Sequence, residues 1–126
     1  FYKVAMRPGK PLMAGQLEGA AMIGLPGNPV SAMVCGTVFV APVIRAMLGM
    51  GKHAAPETLL PLAVDMPTNG PREHYMRARI TGGAVTPDRQ QDSALLGVLA
   101  RSDALLVRPP NDPAQSAGAM VRVINL

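Results

Sequence analysis

The chain has 126 residues, which suits one domain or two small ones and excludes a large multidomain assembly. Hydrophobic residues at 48% against 16% charged exclude disorder as the main state, and 13 Gly with 13 Pro, roughly a fifth of the chain, argue against an all-helical fold. Lys and Arg total 12 against 8 Asp and Glu, a net charge of +4, so anionic partners are favoured without a choice among a small oxyanion, a phosphorylated cofactor and nucleic acid.

In chain order, residues 1–6 read as a short strand. Arg7-Pro8-Gly9-Lys10-Pro11 interrupts it as a loop, because Pro fixes φ while Gly permits positive φ. Residues 12–17 and 20–25 read as two further strands around Glu18-Gly19. Pro26-Gly27-Asn28-Pro29 then opens a long helix, with Asn28 as N-cap and Pro29 at the first helical position, where its missing N–H costs nothing. The helix is expected to reach about Leu48, bend near Pro42 and end at Gly49. Its apolar residues surround the axis, which predicts a helix buried between layers. The run from Val30 to Ile44 falls short of the roughly 20 residues that cross a bilayer, so a core helix is expected in place of a membrane span.

The composition shifts near residue 52, and no long helical period follows. Residues 58–64, 73–80, 104–107 and 120–124 read as strands, with a short helix after Ser93 through Leu95, Leu96 and Leu99. Alternation in 73–80 puts His74, Met76, Ala78 and Ile80 on one face and Glu73, Tyr75, Arg77 and Arg79 on the other. The second segment is thus expected to be a small β-rich barrel or sandwich.

Three groups of residues could carry chemistry. Arg7 and Lys10 flank a rigid-then-flexible pair, so both cationic heads can share one space; a solvated surface loop is the plainer alternative. Gly27, Asn28 and Ser31 mark a strand-to-helix turn whose free N–H groups form a ready anion pocket, or else an ordinary capped helix start. If the short strands between them pair side by side, both loops meet at one rim, as ligand sites do in α/β sheets. Arg72, Arg77 and Arg79, with Ser93, form a third group, whose alternative is a solvated strand face and a helix cap.

Other chemistry finds little support. Gly49-Met-Gly-Lys-His-Ala54 fits a loose dinucleotide pattern but follows a helix, and there is no Walker lysine motif, G-x-S-x-G or H-E-x-x-H. Cys35 reads as a buried inert thiol and His74 as a core residue. One cysteine makes no internal disulfide, and with two isolated histidines no Cys/His zinc site, so a reducing, cytoplasmic compartment is expected. The chain begins with Phe1 and shows no leader pattern, which reads as a piece of a longer polypeptide.

Ala5-Met-Arg-Pro-Gly-Lys-Pro11 followed by Gly24-Leu-Pro-Gly-Asn-Pro-Val-Ser-Ala32 resembles the molybdopterin molybdenumtransferase (MoeA) family, which includes the gephyrin E domain. The likeness continues through Pro71-Arg-Glu-His-Tyr-Met-Arg77, Gln91-Asp-Ser93 and Gly118-Ala-Met-Val-Arg-Val-Ile124, and covers only the C-terminal part of the family's length. It implies that residues 1–51 end an α/β, MogA-like molybdopterin-binding domain and that 52–126 form a small all-β, barrel-like C-terminal domain. It also implies an activity, insertion of molybdate into adenylylated molybdopterin, with magnesium as cofactor.

By position, the resemblance places Arg7 and Lys10 at the family's two-lysine motif, Ser31 at its helix-start serine, and Arg72 and Ser93 at positions associated with molybdate. Arg7 departs from the usual lysine. The magnesium ligands are expected upstream, so this chain alone is expected to be inactive, with no catalytic residue of its own. The family context further implies a homodimer in the full-length form, and a molybdopterin adenylyltransferase and molybdoenzymes as partners. The competing class is a non-enzymatic scaffold or basic binding module. Sparse aromatics argue against nucleic acid, since single-strand binders rely on stacking.

Overall fold

The longest strand, residues 73–81, carries the sheet around it. In the computed structural model, which describes residues 1–126, the strands are β1 (Met6–Arg7), β2 (Met13–Leu17), β3 (Ala20–Gly24), β4 (Thr58–Pro61), β5 (Glu73–Thr81), β6 (Ala84–Pro87), β7 (Ala104–Arg108) and β8 (Met120–Asn125). The helices are α1 (Pro29–Met47) and the short α2 (Leu96–Ala100). β2 and β3 form a hairpin of their own, with Glu18 and Gly19 both at positive φ as a two-residue turn demands.

The other six strands share one sheet in the order β1-β5-β7-β8-β4, with β6 beside β5. Leu62, just past β4, bridges Val85 of β6, and Ala63 donates its N–H to the Val85 carbonyl at 2.9 Å. β5, β7, β8, β4 and β6 thereby close into a small barrel-like ring. Side-chain alternation then sorts the apolar residues into two cores. Inside the ring lie Leu62, Met66, Ala78, Val85, Ala104, Leu106, Val121 and Val123. On the outside of β5, β7 and β8, Tyr75, Leu105, Val107 and Ile124 pack against Met6, Leu12, Val34, Cys35 and Ala55. Every residue of β7 is buried because it has a core on each face. A fully buried Leu or Val there contributes ~1.5–3 kcal/mol.

Several expectations change. The first strand contracts from residues 1–6 to Met6–Arg7, because Lys3 at φ 71 breaks the extended run; Tyr2 keeps only an isolated bridge to Met13. β1 pairs with β5 in parallel, not with β2, so the two N-terminal loops are not rims of one α/β sheet. β6 escapes the sequence reading because four residues that follow Gly82-Gly83 and end in a proline are too few to show a period. Tyr75 and Arg77, assigned to the polar face of their strand, are both buried.

α1 also differs. Asn28 caps it, its side chain accepting from Ser31 N–H at 3.1 Å, and Gly49 follows its end at φ 75. The irregularity lies one turn before Pro42: Gly36–Val40 is π-helical, and Thr37 Oγ1 donates back to the Met33 carbonyl at 3.1 Å. The helix is not buried all round. Val30, Ser31, Val34 and Cys35 are buried, whereas Met33, Ile44 and Met47 are exposed, since this chain packs the helix against one face of the sheet only. Extending through Arg45 to Met47, the helix is long and apolar enough to cross a membrane by length and composition.

Candidate functional site

The parallel pairing of β1 with β5 sets Arg7 in register with His74, and the antiparallel pairing of β5 with β7 sets His74 in register with Arg108. Register partners share a sheet face, so Arg7, His74 and Arg108 form a row across three strands. After Arg7 the chain turns towards α1 at Pro8-Gly9. Gly9, at φ 113, is buried so closely that an added Cβ would lie 2.6 Å from Cys35 Sγ and 3.1 Å from Met6 Cε. Only glycine allows that approach, and it holds the Arg7–Pro11 loop against the first turns of α1.

The result is a cleft of about 290 Å³ whose walls include Arg7, Lys10, Ser31, Arg72, His74, Gln91 and Ser93. Three of these are cationic and none is a carboxylate. Guanidinium, ammonium and hydroxyl groups all donate hydrogen bonds, so the cleft is suited to an oxyanion. A larger, mainly apolar hollow of about 950 Å³ lies between Met33, Thr37 and Arg45 of α1 and Leu96, Leu99 and Leu126. Its only charged lining side chain is Arg45, so the smaller cleft with three cations is the better candidate for an anion on chemistry.

Second-layer contacts hold the cleft. Asn69 accepts from Arg7 Nη2 at 3.0 Å and donates through Nδ2 to the carbonyls of Arg72 at 3.0 Å, Arg108 at 3.2 Å and Pro109 at 2.7 Å. Arg108 is buried, pairs with Asp112, and donates to the carbonyls of Pro67 and Pro113. On the opposite wall, Gln91 accepts from the Arg77 N–H at 3.0 Å and donates to the Arg77 carbonyl at 2.9 Å, locking the loop before Ser93 to β5. Arg77 Nη2 adds a bond to the Asp92 carbonyl at 3.0 Å, while its Nε and Nη1 are buried without partners. Burial holds this guanidinium below its usual pKa.

Burial, reinforced by Arg7, Arg77, Arg108 and Arg72, drives His74 down to about 3, so its imidazole is neutral at ordinary pH. Burial also pushes the Cys35 thiol up to about 11, which removes it as a nucleophile.

Arg7, Lys10, Ser31, Arg72 and Ser93 therefore line one cleft. Gly27 and Asn28 do not line it. Asn28 is occupied as the cap, accepting from both the N–H and the hydroxyl of Ser31. Arg77 lies behind the wall, and Arg79 lines a separate hollow with Asp88 and Arg89. The sequence reading misses Asn69, Gln91 and Arg108, and it takes His74 for a core residue. Asn69 sits in a Pro-Thr-Asn-Gly-Pro turn, where a polar side chain looks like turn chemistry alone. No three His, Cys, Asp or Glu side chains are grouped as a metal site.

Comparison with known proteins places the chain. Residues 60–126 match the sequence model of the MoeA C-terminal region (domain IV). Molybdopterin molybdenumtransferase 2 of Mycobacterium tuberculosis is 32% identical over 128 residues, covering 100% of this chain and 32% of that protein. The molybdopterin molybdenumtransferase of Synechococcus elongatus is 35% identical over 130 residues, covering 100% of this chain and 31% of its own length. The molybdopterin biosynthesis moeA protein of Pyrococcus horikoshii OT3 shares the fold, with a TM-score of 0.80 at 22% identity over 100% of this chain and 32% of that one. This β-rich chain thus shares the fold of that moeA protein. It belongs to the MoeA family, and it spans about a third of the length of these relatives.

Proposed function

We propose that the chain is the C-terminal part of a molybdopterin molybdenumtransferase and that its cleft binds the oxyanion end of the substrates, molybdate or the molybdopterin phosphate. The observation that supports this is the gathering of Arg7, Lys10, Ser31, Arg72 and Ser93 around one hollow without a carboxylate. A tetrahedral dianion matches such donors, which carry N–H and O–H groups and no competing negative charge. Binding and orientation are the contribution of this region: a guest held in register loses less entropy on the way to reaction. In the full-length enzyme the activity would be insertion of molybdate into adenylylated molybdopterin, in the cytoplasm, with residues 1–51 ending the α/β molybdopterin-binding domain and 52–126 forming the barrel-like one. A homodimer, a molybdopterin adenylyltransferase and molybdoenzymes are the proposed assembly and partners.

Magnesium, which the family implies, does not fit the residues present. No cluster of three candidate ligands exists and the cleft has no acid, so its ligands are proposed to lie outside this chain and no step here runs through it. The chain alone is proposed to bind without turnover.

The test is a calorimetric titration of the chain with molybdate, alongside Lys10→Ala and Ser31→Ala. Saturable binding that weakens in both variants supports the reading; equal responses in all three remove it. A salt-dependent response to oligonucleotide with none to molybdate would favour a basic binding module.

A further inference from the structure

We propose that His74 is an uncharged hydrogen-bond donor to the oxyanion held in this cleft, an inference that rests on the oxyanion reading above. His74 lies on β5 between two register partners that are both arginines, Arg7 and Arg108, and it lines the cleft together with Lys10 and Ser31. Its side chain makes no hydrogen bond within the protein, although the residue is only 7% exposed. A buried polar ring without a partner costs about 1–3 kcal/mol, so a ring filling a core would be expected to find one. The side-chain nitrogens sealed from solvent without a partner are Nε and Nη1 of Arg77 alone, so the nitrogens of His74 open towards the cleft.

The charged groups around the ring explain what it can offer. Arg7, Arg72, Arg77 and Arg108 all act on it and raise the cost of a further positive charge. Asp112 is taken up by Arg108, and Glu73, the next residue, turns to the other face, where it bonds Tyr75 Oη and Arg122. With no free carboxylate to stabilise an imidazolium, the ring stays neutral and carries one N–H donor and one lone pair. A neutral donor on a stiff strand adds a directed hydrogen bond without further charge repulsion among the arginines.

The experiment titrates the chain and its His74→Phe and His74→Gln variants with sodium molybdate, with Lys10→Ala as the reference, and follows the His74 ring by two-dimensional ¹H–¹⁵N NMR. The Phe variant keeps volume and removes both ring nitrogens, and is expected to weaken binding about tenfold or more, as loss of a hydrogen bond to a charged group does. The Gln variant keeps a donor and is expected to stay within about threefold of the parent. Molybdate is expected to shift the ring ¹⁵N signals of the parent, a change that a purely structural role would not produce. Wild-type affinity in the Phe variant, or ring signals unmoved at saturation while Lys10→Ala loses binding, would overturn the role of His74 and leave the oxyanion reading standing. No saturable binding by the parent would overturn the oxyanion reading itself.

Discussion

Arg7 Nη2 donates to Asn69 Oδ1 at 3.0 Å, across a sequence separation of 62 residues. The amide nitrogen of Asn69 is fully used, its two hydrogens shared among the Arg72, Arg108 and Pro109 carbonyls, while its oxygen accepts from Arg7. One buried side chain thus fixes a cleft cation and the backbone of another, and Arg7 enters the cleft already oriented instead of swinging free.

Replacing Asn69 with Ala is therefore expected to destabilise the chain by about 1–3 kcal/mol, because buried carbonyls lose their donor. Molybdate binding should weaken as well, with Arg7 released. Urea denaturation and the same titration check both effects. Unchanged stability would mean that the backbone bonds Asn69 N to Asp112 O and Asn111 N to Gly70 O already hold these loops together.

The pH dependence of stability should report His74. Its folded pKa of about 3 lies below the 6.5 of an unperturbed histidine, so between these values the unfolded chain binds a proton that the folded chain refuses. The contribution is complete above pH 6.5 and falls as the pH drops towards 3, with a slope of up to about 1.4 kcal/mol per pH unit. His74→Gln does not titrate and should flatten the profile between about pH 5 and pH 6.5, above the range where the lowered carboxyl of Asp88 begins to matter. Urea midpoints across that window decide it; parallel slopes in both proteins would reject the assignment.

The cationic and hydroxyl residues of this site are legible in the sequence, and the expected meeting of the Arg7–Lys10 loop with the helix start at Ser31 occurs, but through a different strand pairing. Arg7, Lys10 and Ser31 are identifiable because a Pro-Gly turn and a capped helix start are local chemistry, written in neighbouring residues, whereas Arg72 and Ser93 are singled out by the family resemblance. Their convergence is not local. It depends on a two-residue strand, Met6–Arg7, choosing β5 as its partner, and so short a pairing leaves no periodicity to read. The alternation of 73–80 similarly yields the faces of β5 correctly, yet it takes Tyr75 and Arg77 for a solvated face, because a strand with a core on both sides breaks the rule that polar means outside. α1 fails in the opposite direction: apolar residues all round imply burial, but burial needs a neighbour on every side, and this chain supplies one.

Arg77 offers a separable test of loop and core. Its Nε and Nη1 are buried without partners, so removing the guanidinium relieves a cost while losing the single bond to the Asp92 carbonyl. Arg77→Met is expected to leave global stability within about 1 kcal/mol, since a well-packed apolar side chain often replaces a buried charge without loss. Hydrogen exchange at residues 92–94 should accelerate, as Asp92 is freed. A loss well beyond that size would mean that an ordered water or ion completes the guanidinium.

Gly9 and Cys35 test the contact between loop and helix. Gly9→Ala would set a Cβ 2.6 Å from Cys35 Sγ at a positive φ that alanine resists, and a cost of about 1–3 kcal/mol is expected, with weaker molybdate binding as Lys10 moves. Cys35 itself, with its thiol raised to about 11 and no exposed surface, should react with a maleimide at neutral pH only as fast as the chain opens. Prompt labelling of the folded chain would show that the loop does not seat on α1 as described.

The two sides of α1 should respond differently to substitution. Val34 is fully buried in the outer core with Met6, Tyr75 and Val107, so Val34→Ala removes packed methyl groups and should cost about 1–3 kcal/mol through lost burial and an unfilled cavity. Met33, its neighbour in sequence, is 60% exposed and Met47 is 78% exposed. Met33→Gln and Met47→Gln should each stay within about 0.5 kcal/mol, as surface changes usually do. Thermal or urea unfolding of the three variants separates the cases. Equal losses on both faces would show that the outer face is covered in solution, and concentration dependence of the melting temperature would then identify the cover as a second copy of the chain.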